Sequence, residues 1–135
     1  MKPKLVIGLG NRLVPEDAVG LYCFDQLRTL VTARPDIDFV EAGTDLLRAA
    51  PHMRGRELII LIDAVDNPAS PLSVLEHGSP DLSEAQEHAH HLSAVQALNL
   101  IRWTDDSVKQ ARCVWVLLDA TIAHSTRSGS QPIIS

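Results

Sequence analysis

An acidic pair, Glu16-Asp17, stands just behind the glycine turn Gly8-Leu9-Gly10-Asn11. Farther along, Asp63 follows the most apolar run of the chain, Leu58-Ile59-Ile60-Leu61-Ile62. The segment Glu87-His88-Ala89-His90-His91-Leu92-Ser93 then brings three histidines close together. Two carboxylates and an imidazole meeting at one edge offer oxygen and nitrogen donors that suit Ni, Zn or Mn, with no thiolate required. Three protein ligands also leave coordination positions open for water or substrate. Glu84, Glu87, His88 and His91 are spaced along one helical face and read as a solvated surface. His90 lies off that line and is the better donor. Spacing alone does not choose between Glu16 and Asp17, and Asp63 has the alternative of bonding nearby backbone N–H groups.

The glycine turn itself admits two other readings. A dinucleotide-binding turn wants glycines at its first, third and sixth positions. Gly8 and Gly10 fill two of these, Leu13 stands at the sixth, and Glu41 is placed to meet a ribose hydroxyl. Glu16 and Asp17 oppose that reading, because carboxylates at a helix N-terminus repel a pyrophosphate. No lysine follows the turn, so a P-loop is excluded. The plainest reading is a tight turn whose acidic pair complements the helix dipole.

These residues need elements to hold them. Leu5 to Leu9 predicts a buried strand, and Pro15 opens a helix whose stripe runs through Gly20, Cys23, Phe24, Leu27, Leu30 and Val31, with Pro35 closing it. Ile37 to Ala42 reads as a second strand, and Asp45 to Met53 as a short helix ended by Gly55. The run from Leu58 to Ile62 is the continuous apolar pattern of a central parallel strand. Residues 64 to 89 look irregular, with Ser73 to Glu76 a short edge strand. Ser93-Ala94-Val95-Gln96 has the form of a capping box, which starts a helix reaching Trp103 and leaves the histidines in the loop before it. Cys113 to Leu118 is the last strand, with Asp119 at its end as a supporting carboxylate. The alternation predicts an α/β three-layer sandwich: a mostly parallel sheet of about five strands with helices on both faces. In such a sheet ligands bind beyond the carboxyl ends of the strands, where the glycine turn and Asp63 both lie. Residues 125–135 lack a period and read as loop or disordered tail, and His124 as part of it.

The bulk numbers narrow the classes. A chain of 135 residues with 45% hydrophobic and 21% charged residues fits one domain, 1–135. A net charge of −5 and the lack of a basic stripe argue against nucleic acid and anionic membrane as partners. Cys23 and Cys113 form no CxxC pair and read as small buried hydrophobes. The apolar run after Lys4 is too short for a signal-peptide core, and nothing reaches the length of a membrane span, so the expected location is the cytoplasm. No G-x-S-x-G and no H-E-x-x-H occurs.

GLGNRLVPEDAVG resembles the opening motif of the [NiFe]-hydrogenase maturation endopeptidases, through Gly8, Gly10, Asn11, Glu16, Asp17 and Gly20. Ile62-Asp63-Ala64 and His90-His91-Leu92-Ser93 resemble two further motifs of that family, in the same order, across roughly residues 4 to 118. The resemblance implies an endopeptidase that removes a C-terminal peptide from the large-subunit precursor of a [NiFe]-hydrogenase once nickel is inserted. It implies Asp17, Asp63 and His90 as the metal-binding and catalytic residues, with nickel supplied by the substrate and no permanent cofactor. Residues 119–124 do not align with the family pattern, and the family's closing helix has no counterpart stripe here. One sheet face is therefore expected to be thinly covered. A dinucleotide- or nucleotide-binding module, or a non-catalytic paralogue of the same fold, is the alternative.

Overall fold

Short apolar runs rich in branched side chains form the central parallel strands. The computed structural model describes residues 2–66, 70–85 and 89–121, the side chains of 83–92 excepted. Strands β1 (Lys4–Leu9), β2 (Ile37–Gly43), β3 (Leu58–Val65), β4 (Leu72–Glu76) and β5 (Arg112–Asp119) build one sheet in the order β2-β1-β3-β5-β4. β1 pairs in parallel with both β2 and β3, and β3 with β5. Only β4 runs antiparallel, against β5 at the sheet's edge. Its alternating exposure fits an edge position, and the strand read at Ser73 to Glu76 is this one.

The helices cover two faces. α1 (Pro15–Leu30) crosses from β1 to β2 on one face, where Val19 and Phe24 pack with Val6, Ile62, Ala64 and Leu118. A 3-10 turn (Leu46–Ala49) continuous with α2 (Ala50–Met53), then α3 (Pro80–Ala85), α4 (Ala89–Thr104) and α5 (Asp106–Gln110), contribute to the other. There Leu46, Met53, Leu82, Leu98, Ile101 and Val108 bury against Leu5, Ile7, Ile59, Leu61 and Trp115. Each such aliphatic side chain contributes about 1.5–3 kcal/mol through burial. Among the described residues α1 alone lies on the first face, and Leu72 and Val74 of β4, which share that face with Val116 and Leu118, are exposed.

Several expectations are corrected. α1 ends at Leu30, well before Pro35. β3 continues through Asp63 to Val65, so that carboxylate sits within the strand and not after it. The stretch read as irregular contains α3 as well as β4. α4 begins at Ala89, which puts Ser93 inside the helix and places His90 and His91 in its first turn instead of in a preceding loop. A capping box is a purely local pattern; it does not stop a helix from extending back through it. Both cysteines are free, Cys113 buried and Cys23 partly so. The tail read at 125–135, and His124, lie outside the described residues.

Candidate active site

Because β1, β3 and β5 are parallel, their carboxyl ends share one edge, and β2 ends there too. The chain runs from β1 outward to β2 and then from β2 back past β1 to β3, which makes the β1–β3 crevice the topological switch point. A cleft of about 340 Å³ opens at this edge. It is lined from the β1–α1 turn by Asn11, Val14, Glu16 and Asp17, after β2 by Thr44, and from β3 and β5 by Ala64, Asp66 and Ala120.

Two glycines bring Asp17 to this place. Gly10 has φ +138°, and a Cβ there would stand 2.2 Å from the Asp17 carbonyl oxygen, so only glycine lets the turn fold this tightly on the helix start. Gly20 lies one turn farther along α1. A Cβ on it would come within 3.2–3.3 Å of Leu9 O, Ala64 N and the carbonyl carbon of Asp63. The glycine thus seats α1 directly on the end of β3. Asn11 fixes the intervening turn, as its Oδ1 accepts from Leu13 N at 2.9 Å.

Asp63 is 5% exposed, and its Oδ1 accepts from Ala64 N at 2.9 Å. Strand alternation puts it on the face of Leu61 and Val65, the one that α4 helps to cover, whereas Asp17 comes from α1 on the opposite face. The two approach the same edge from different layers. His90 lies in the first turn of α4, whose later residues pack on Asp63's face; its side chain, with those of Glu84 and His91, and residues Glu87 and His88, fall outside the described set. Among the described side chains no three His, Cys, Asp or Glu groups gather closely enough to hold a metal ion.

Three carboxylates, Glu16, Asp17 and Asp66, line the cleft, and no basic side chain lines it among the described residues. That charge favours a cation over a phosphate. Asp66 and Thr44 escaped the sequence reading. Neither belongs to a periodic stretch, and only the sheet topology brings them to Asp17. Asp119 does not reach into the cleft lining; it closes its own turn, accepting from Thr121 N at 2.9 Å and Thr121 Oγ1 at 2.7 Å. Glu41, the ribose candidate of the dinucleotide reading, has both oxygens occupied by Arg12.

No protein-family model matches the chain. It is 23% identical over 124 residues to the hydrogenase 2 maturation protease of Escherichia coli K12, covering 89% of this chain and 76% of that one. The [NiFe] hydrogenase maturation protease HybD from Thermococcus kodakarensis superposes with a TM-score of 0.68 at 26% identity, over 88% of this chain and 80% of the other. In sequence and in fold the chain is similar to [NiFe]-hydrogenase maturation proteases. The E. coli endopeptidase HybD shares the fold, with a TM-score of 0.64 at 19% identity over 88% and 74% of the two chains. A peptidase of the maturation-protease type, not a dinucleotide-binding module, is the class to which this fold and sequence point.

Proposed function

We propose that the chain is the endopeptidase that removes a C-terminal peptide from the large-subunit precursor of a [NiFe]-hydrogenase, with Asp17, Asp63 and His90 as the residues that engage the substrate's nickel. The observation that carries this reading is the packing at Gly10 and Gly20. The two glycines of the family-like motif are the ones whose missing side chains let Asp17 stand at an acid-lined cleft on the carboxyl edge of the sheet.

Nickel enters here as part of the substrate, so its presence marks a precursor ready for trimming. The carboxylates compensate its charge and orient the neighbouring peptide. A bound divalent ion polarises a carbonyl or lowers the pKa of water, which supplies the electrophile or the nucleophile of hydrolysis. Glu16 and Asp66 are further carboxylates at the same cleft and are the candidates for accepting the proton of an attacking water. No helix among the described residues is long and apolar enough to cross a membrane, and we place the processing step in the cytoplasm.

The test is incubation with a nickel-loaded, unprocessed large subunit, followed by intact mass. The expected result is loss of the C-terminal peptide, and a fall of about 100-fold or more in rate for Asp17→Asn and Asp63→Asn. Full processing by folded Asp63→Asn removes that residue from the mechanism.

A further inference from the structure

We propose that Arg12 is a positioning residue for the cleft: its guanidinium pins the β1–α1 turn to both neighbouring elements and so sets where Asp17 stands. The structural part of this inference is independent of the endopeptidase reading; its consequence for turnover rests on that reading.

All three guanidinium nitrogens of Arg12 donate to two carboxylates. Nε donates to Glu41 Oε1 and Oε2 at 3.2 and 3.1 Å, and Nη2 to Glu41 Oε1 at 2.6 Å. Nη1 and Nη2 donate to Asp25 Oδ2 and Oδ1 at 2.8 and 3.0 Å. Glu41 belongs to β2 and Asp25 to the middle of α1, so one side chain joins turn, strand and helix.

The turn has little else to hold it. Leu13 is 90% and Val14 43% exposed, so packing contributes little. Val14, at the N-cap of α1, gives no side-chain cap. Among the described residues Asn11 bonds within the turn, to Leu13 N and, through its carbonyl, Val14 N. The other tether is Gly10 N to Gly43 O at 2.8 Å. Single exposed ion pairs are weak, but a bidentate guanidinium shared by two acids is the geometry in which they count. Lysine cannot reproduce it, since one ammonium does not match two planar forks.

The clamp also disposes of a charge. A guanidinium four and five positions before Glu16 and Asp17 would compete with a cation for those carboxylates if it were loose. Asp25 and Glu41 engage it instead.

The experiment compares wild type, Arg12→Ala and Arg12→Lys by amide hydrogen exchange and by precursor processing. Arg12→Ala is expected to speed exchange of residues 10–18 about tenfold while leaving β3 and β5 unchanged. It should lower kcat about tenfold with KM nearly constant, because the precursor still docks on a misplaced carboxylate. Arg12→Lys should recover only a minor part of either loss, and Asp25→Asn added to Arg12→Ala should change nothing more. Unaltered exchange at the turn, or faster exchange spread evenly over the sheet, overturns the proposal. If wild type itself does not process the precursor, the functional reading falls, and the exchange measurement still decides the clamp.

Discussion

At the scale of single residues, backbone constraint and proton affinity make the sharpest predictions. Gly10→Ala forces a Cβ onto the Asp17 carbonyl and a side chain into φ +138°. We expect a loss of about 1–3 kcal/mol in urea unfolding, together with lost processing because the turn moves. His77 makes a second case. Trp115 Nε1 donates to its Nδ1 at 3.1 Å, so Nε2 carries the proton and donates to Asn99 Oδ1 at 2.7 Å. Burial lowers the His77 pKa from the usual 6.5. The unfolded chain therefore takes up a proton at higher pH than the folded one. The stabilisation from His77 is complete above about pH 6.5 and is lost as pH falls through its depressed folded-state value. Urea midpoints at pH 7.5 and 5.5 should differ more in wild type than in His77→Gln. An equal difference in the two proteins would show that other groups carry the acid sensitivity.

Among the elements, α5 shows how a few residues secure a short helix. Asp105 caps it through Oδ1, which accepts from Ser107 N at 3.0 Å and Ser107 Oγ at 2.8 Å, and the helix buries Val108 completely. Asp105→Ala should cost about 1 kcal/mol, read as a lower thermal midpoint with processing kinetics intact. The same helix marks the limit of what the sequence reveals. Strands β1, β3 and β5 are legible because continuous aliphatic runs are required wherever both sheet faces are covered. α1 is legible because apolar residues recur at helical spacing from Gly20 through Phe24 to Leu27, although Leu30, read into the same stripe, is 82% exposed. α3 and α5 span barely a turn or two, too short for a period to emerge, and tertiary burial of Leu82 and Val108 specifies them instead. In the site, Gly10, Asp17 and Gly20 form a contiguous pattern that can be read along the chain. Asp66, Thr44 and the Arg12–Glu41 pairing depend on which strand lies beside which, and no local spacing encodes that.

For the molecule as a whole, charge at the switch point separates the two fold-compatible functions. A cleft lined by Glu16, Asp17 and Asp66, with Glu41 held by Arg12, should reject dinucleotides. Titration with NAD or NADP is expected to give no binding up to millimolar concentration, and micromolar affinity would reverse the assignment of the turn.

The strand order has one more consequence, for biosynthesis. Leu5 lies beside Ile59, and Ile59 beside Cys113, each pair separated by roughly fifty positions along the polypeptide. A ribosome that has released β1, α1 and β2 has made a fragment whose central ladder is open on one side. It stays open until β3 emerges, and β3 in turn waits for β5. Refolding from denaturant should accordingly fall in the millisecond-to-second range, not the microsecond range of helical bundles. The half-made sheet is the species on which holdase chaperones would act.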